Sequence, residues 1–237
     1  MSQSHHLSRR RALKSAIAIF AGSVTSFVIP NAEAASAGSD ISHGNRSKPQ
    51  VALTFHGAGE ISIAHKILAI TKSTSTPITV MAIGNWLNTN PKIGKEILDL
   101  GHELGNHTEN HKTMPRLDLK TAASEIALGK KSLAKVVGTS PTYFRPSGTP
   151  KSNATIRKAA AASGYKNCIT YDVDTLDYQD PSPNAIVKNC MKSVQNGSII
   201  SLHLGHKNTV IALPLLIQAL RDKNLEPVTI STLLGNP

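Results

Sequence analysis

The chain predicts an α/β fold built from about seven βα units that close into a barrel of fewer than eight parallel strands. Two observations predict it. From Gln50 onward, apolar runs of strand length alternate with segments of helical spacing, without an internal repeat. Most of the strand-like runs also end in a titratable or special residue. Strands that alternate with helices form a mostly parallel sheet buried on both faces, and their ends share one rim.

The elements follow in order. Residues 51–55 are a short apolar run, and 61–71 have helical spacing. Residues 78–83 are apolar and partly β-branched, hence a strand. Residues 91–100 read as a helix with Asn90 as N-cap and Pro91 at its first position. Gly101-His102-Glu103-Leu104 reads as a short strand ending in a loop. The longest amphipathic helix is expected over 118–137. Tyr143-Phe144-Arg145 is a short strand ending at Pro146, and 153–163 form an Ala-rich helix stopped by Gly164. Strands over 167–171 and 198–203, a helix over 209–223 and a last strand over 227–230 complete the domain.

Ahead of it, Ser8-Arg9-Arg10-Arg11-Ala12-Leu13-Lys14 precedes a modestly apolar stretch, and Ala32-Glu33-Ala34 supplies the small residues that a signal peptidase reads. Residues 1–34 are therefore expected to be a Tat-type signal peptide, with Ala12 where that pattern usually has an aromatic. Cleavage would leave no stable membrane insertion and place the protein outside the cytoplasm, in the periplasm or at the wall. Residues 35–48, polar and rich in Ser and Gly, are expected to be a flexible linker before a domain over 49–237.

The formal net charge is +11. Residues 1–34 carry Arg9, Arg10, Arg11, Lys14 and Glu33, so the remainder is +8. Such a chain stays near anionic wall polymers or membrane surfaces. No nucleic-acid partner is expected, because the lysines are scattered and aromatics make up only 4% of residues. Cys168 and Cys190 form either one disulfide or two small buried apolar residues.

The chemistry-bearing residues sit at the strand ends: His56, then His107 and His111, then Arg145, then Asp174 and Asp177, then His203. His107 and His111, four apart, are expected on one face of a helical turn, where both imidazoles reach one metal. Histidines, aspartates and an arginine converging on one rim suit a metal-assisted hydrolase. His65 and His102 are expected to be structural or surface histidines, and Trp86 a core residue.

Five stretches in sequence order carry a resemblance to a known family. They are Thr54-Phe55, Gly105-Asn106-His107-Thr108-Glu109-Asn110-His111, Phe144-Arg145-Pro146-Ser147-Gly148, Asp174-Thr175-Leu176-Asp177-Tyr178, and 197–203 ending in Leu202-His203. Over 50–234 the chain resembles the polysaccharide deacetylases, the NodB-like carbohydrate esterase family four. That resemblance implies a deformed barrel of about seven strands and one divalent metal, usually zinc, held by His107 and His111. It implies His203 as the general acid, Asp177 as the carboxylate holding it, and Arg145 as the arginine that orients the base. Tyr178 stands where a tryptophan usually walls the acetyl pocket, and Ser201 where a leucine is usual. The implied substrate is an acetylated polysaccharide or oligosaccharide, mainly N-acetylated, and the implied state is a monomer.

The first motif departs from the family's Thr-Phe-Asp-Asp-Gly, which supplies the base and the third metal ligand. Here the run is Thr54-Phe55-His56-Gly57-Ala58-Gly59-Glu60. Two repairs are open. In one, His56 is the third ligand and Glu60 swings in as general base beside Arg145. In the other, Glu60 binds the metal and His56 is the base. A silent glycan-binding relative, or a hydrolase of another C–N bond, are the alternative functions.

Overall fold

The computed structural model describes residues 39–235, so the expected signal peptide lies outside the described residues. In chain order the elements are β1 (Gln50–Gly57), α1 (Ile61–Ser73), β2 (Thr79–Ala82), α2 (Gly84–Thr89), α3 (Pro91–Asp99), β3 (Glu103–Asn106), α4 (Leu119–Val137), α5 (Ala154–Ala162), β4 (Val173–Asp174), α6 (Pro183–Met191), β5 (Ile199–His203), α7 (Lys207–Asp222), β6 (Glu226–Pro227) and α8 (Ile230–Leu234).

The fold is α/β, as expected. Six strands form one sheet in the order β3-β2-β1-β5-β4, with β6 paired to the start of β1. Every strand pair is parallel. Hydrogen bonding continues past the outer strands. Asn106 bridges to Phe144, and the Ile169 amide donates to the Phe144 carbonyl at 2.8 Å. The chain then runs directly into β4, which pairs with β5. Tyr143-Phe144-Arg145 and 167–171 are therefore bridging segments rather than full strands. Pro141 and Pro146 bracket the first of these and, having no amide to donate, keep its ladder from extending at either end.

Alternation along β1 decides which side chains reach the interior. Val51, Leu53 and Phe55 pack into the main core beneath the helices, while Ala52 belongs to a separate cluster with Met81, Ile169 and Ile199. His56 shares the parity of Ala52, so the strand delivers its ring to the inside of the sheet at the carboxyl end. Phe144 anchors a third cluster under α4 and α5.

Several boundaries correct the sequence reading. Only Glu226–Pro227 is a strand at the C-terminus; Thr229 caps α8 instead, accepting from the Thr232 amide. Helices α2 and α6 were not expected; both are short, and α6 opens on Ser182 as N-cap with Pro183 in its first turn. Asp118 and Asn153 cap α4 and α5 through their side chains, whereas Asn90 makes no side-chain cap to α3. The flexible-linker expectation does not describe 39–48. Ile41 bridges to Ile169, Arg46 pairs with Asp172 at 2.7 Å, and Asp40 accepts from Ser152. Polar composition concealed these anchors. Cys168 and Cys190 are free, buried and in different core clusters, which selects the second of their two readings.

Candidate active site

The carboxyl ends of β1 and β3 bring His56, His107 and His111 together. One ring nitrogen from each lies within 4.8 Å of the others. The ring centroids of His56 and His107 are 4.5 Å apart, and those of His107 and His111 5.0 Å. The two later histidines do not lie on a helical turn. Thr108 and His111 both have left-handed backbone, at φ 70° and 55°, and the loop folds back on itself. Asn106 and Thr108 stitch it, accepting from the Thr108 and His111 amides at 3.0 and 3.2 Å. Gly129 of α4 lets this loop lie close, since a Cβ there would come within 2.4 Å of Asn106 Oδ1.

His107 is prepared as a ligand. Its Nδ1 lies 2.9 Å from the Arg145 carbonyl, which can only accept, so Nδ1 carries the proton. Nε2 is then a bare lone pair, and it is buried with no partner. Burial, followed by neighbouring cationic groups, holds the His56 and His107 rings well below the ordinary histidine pKa, and His111 is lowered too. Neutral imidazoles that converge on one point, one with an orphaned lone pair, fit a divalent metal ion.

The neighbouring strand β5, which pairs His203 with His56, carries a complete histidine–carboxylate pair. Asp177 is fully buried and accepts from His203 Nδ1 at 2.7 Å, from the His203 amide at 2.8 Å and from the Thr209 hydroxyl at 2.7 Å. Every oxygen of the buried carboxylate is thus satisfied, and His203 Nε2 is left for a ligand. The His203 ring is 4.3 Å from that of His56. Tyr178, 47% exposed, stands 5.5 Å from His203. A cleft of about 520 Å³ opens over His56, His111, Tyr178 and His203.

Arg145 lies beneath, 1% exposed. Its guanidinium donates to the Ile169 and Thr170 carbonyls and sits 5.4 Å from the Tyr171 ring centre, while Nη1 has no partner. Burial pulls its pKa down to about 10, so it stays charged at neutral pH. Glu60 does not reach it. The Glu60 side chain is exposed at the start of α1 and takes part only in a 3.4 Å contact from Ser62. The expected Glu60–Arg145 pairing is thereby corrected: the loop at 57–59 carries the backbone straight into the helix, and the carboxylate stays where the helix dipole and water favour it. Gly57 also has no room for a side chain, since a Cβ would meet Val80 Cγ1 at 2.8 Å and Ala82 Cα at 2.9 Å.

Two residues were missed in the sequence. Tyr171 flanks both His56 and Arg145, its phenol pushed up to about 12 by burial first and Asp174 second. Thr209 holds Asp177. Tyr171 was visible as an aromatic at a strand end; a helix-opening threonine carries no such signal. Ser201 hydrogen-bonds His56 Nε2 at 3.3 Å. His102 is buried as a structural histidine between Thr71 and the Ile78 amide, and His65 pairs with Glu96 on the surface. Trp86 is half-buried against the core, its indole donating to the Gly59 carbonyl.

The family model for polysaccharide deacetylase matches residues 43–168. A peptidoglycan-N-acetylglucosamine deacetylase of Bacillus cereus is 30% identical over 78% of this chain and 87% of its own length. A Bacillus subtilis protein named YlxY is 28% identical over 81% of this chain, but the chain spans only 59% of that relative. Among solved structures, a CE4 family pseudoenzyme from Bacillus anthracis superimposes with a TM-score of 0.78 at 25% identity, covering 84% of this chain and 69% of its own. A mutant of that pseudoenzyme is described as having restored enzymatic activity, with the same TM-score of 0.78.

Proposed function

The chain belongs to the polysaccharide deacetylase family, and from that premise we propose that it is an exported, metal-dependent, monomeric hydrolase that removes acetyl groups, mainly N-acetyl, from wall or extracellular glycan. The observation that carries this reading is the buried, unpartnered Nε2 of His107 converging with His56 and His111 beside an intact His203–Asp177 pair.

His56, His107 and His111 would hold the ion, zinc, as three neutral nitrogen donors. Bound there, the ion supplies Lewis acidity for attack on the acetyl carbonyl. The remaining work falls to the chain's own groups. Asp177 keeps Nδ1 of His203 protonated and the ring aimed at the cleft. With no carboxylate at 56 or 57 and Glu60 turned outward, His203 is the imidazole of the cleft that a buried carboxylate holds. It takes the proton of the attacking water at Nε2 and returns it to the departing amine. Arg145 and Tyr171 form the floor under His56 and keep bulk water out.

A second reading has a specific basis. The chain lacks both first-motif carboxylates, and a pseudoenzyme shares its fold at a TM-score of 0.78. In that reading the cleft binds glycan without turnover. Elemental analysis of purified protein, with acetate release from N-acetylglucosamine oligosaccharides, separates the two. About one metal per chain, lost in His56→Ala together with acetate release, supports the hydrolase. Oligosaccharide binding without acetate release, after reconstitution with zinc, cobalt or manganese, establishes the silent relative.

A further inference from the structure

A second histidine–aspartate pair stands at the mouth of the cleft. The turn after β4 carries Asp177 and, three residues on, Asp180; β5 ends on His203, and the turn after it carries His206, three residues on. His206 Nδ1 lies 2.8 Å from Asp180 Oδ1, repeating the 2.7 Å contact of the inner pair. The His203 and His206 rings are 5.7 Å apart and nearly perpendicular, and both line the same cleft. The inner carboxylate is fully buried, whereas the outer one is 65% exposed.

Asp180 holds an unusual backbone to make this contact. Its φ is +52°, a left-handed conformation that aspartate tolerates at modest cost. The turn is fixed by its amide on the Asp177 carbonyl at 3.0 Å and by Asn208 Nδ2 on its own carbonyl at 3.3 Å. The acceptor on Nδ1 leaves His206 Nε2 free in the cleft, an acceptor when neutral and a donor when protonated.

We propose that His206, held by Asp180, binds a hydroxyl of the sugar that carries the acetyl group, and so sets the enzyme's preference for a glycan over other acetyl compounds. The inference rests on the deacetylase reading above. If His203 protonates the departing sugar amine, the pyranose ring must lie directly beside His203. A group one imidazole further along the same cleft then faces the substituents next to the amine-bearing carbon. In a sugar those are hydroxyls, which match a nitrogen able both to accept and to donate.

The test compares wild type, His206→Ala, His206→Gln and Asp180→Asn on an N-acetylglucosamine tetrasaccharide and on an aryl acetate without a sugar. His206→Ala should raise KM for the tetrasaccharide about tenfold with kcat within about twofold, as loss of one such hydrogen bond does. The aryl acetate should be turned over unchanged. His206→Gln, which keeps a polar group, should recover most of the loss, and Asp180→Asn should fall between. An unchanged KM for the tetrasaccharide overturns the proposal. So does an equal fall in kcat on both substrates, which would mean that His206 acts through His203. If wild type releases no acetate, the deacetylase reading fails by itself, and calorimetry with the same tetrasaccharide decides the inference. A Kd about tenfold weaker in His206→Ala sustains it; an equal Kd, or no binding by wild type, overturns it.

Discussion

The two walls of the cleft solve the same problem differently. On the β5 side, a buried carboxylate is surrounded by donors: Asp177 receives Nδ1 and the amide of His203 and the hydroxyl of Thr209. Beneath His56, in the segment that bridges β3 to 167–171, a buried guanidinium has carbonyl partners and an aromatic face but no carboxylate, and one of its nitrogens is orphaned. A buried charge with all its partners is strongly fixed; a buried charge without a counter-ion is held in place by its surroundings. The first wall is therefore the half of the site that supplies its own counter-charge, and the second is the half that sets a buried cation beneath a histidine, His56. Each experiment below presses on one wall, and the expected effects diminish in order.

The largest belongs to the complete wall. His203→Ala should lower kcat on an N-acetylated oligosaccharide by ~10²–10⁴-fold, as loss of a group that moves protons does, and should also lower the thermal midpoint, because it takes the Nδ1 donor from the buried Asp177 carboxylate. A loss below tenfold in a steady-state assay would place proton transfer elsewhere. Asp177→Ala should reduce kcat as well, and should also lower Tm, because it orphans the Thr209 hydroxyl and the His203 amide at ~1–3 kcal/mol each. If Asp177→Ala left Tm within a degree of wild type, the three-donor network would not be holding that wall.

On the β1 side, Gly57→Asp puts a carboxylate where a Cβ already crowds Val80 and Ala82. It should destabilise by ~1–3 kcal/mol in urea titration, as overpacking does, without raising metal occupancy. A stable variant with tighter metal binding would show that the backbone can yield there. Glu60→Ala is the smallest: exposed and outward, it should alter acetate release by less than about twofold and stability by within ~0.5 kcal/mol. A large loss would mean that the α1 entry swings inward during turnover.

Acidity bears on the histidine cluster and on the core. Burial lowers the pKa of His102, as it does for His56, His107 and His111. Unfolding frees each ring to take up a proton near its ordinary pKa, about 6.5. The unfolded state thus binds more protons, and stability falls as pH drops below that value. Thermal unfolding of metal-free protein should show a lower midpoint at pH 5.5 than at pH 7.5, and added metal should raise the midpoint more at pH 7.5 than at pH 5.5, because protons compete for the same nitrogens. A flat profile would mean that the rings are protonated in the fold.

The comparison also shows what could be read from residues alone. The apolar runs that became β1, β2 and β5 were legible because a strand buried on both faces has no polar alternative. The Asp177–His203 pair was legible through the family resemblance. Residues 143–145 and 167–171 were read as strands, but whether such a run builds a ladder or a single bridge depends on its neighbours, and prolines trimmed one of them. The histidine loop was misread as helical because a spacing of four suits both a helical turn and a loop with two left-handed residues. Glu60 was read as mobile enough to enter the site, yet a carboxylate at a helix start is already well placed. Arg46, Asp40 and Ile41 could not be read as anchors, because their partners lie more than 100 residues away.

The thin bridge at Phe144 and Ile169 has a dynamic consequence. The hydrogen-bond ring runs through single contacts there, whereas β1 is laddered to both β2 and β5. Amides along this seam should exchange with deuterium well ahead of those of Leu53 and Ile200, since local opening starts where few bonds must break together. The carbonyl that fixes the His107 tautomer belongs to Arg145, on that same seam. Breathing of the barrel would thus loosen the histidine cluster first, and an ion bound there would act as the rivet that closes the ring.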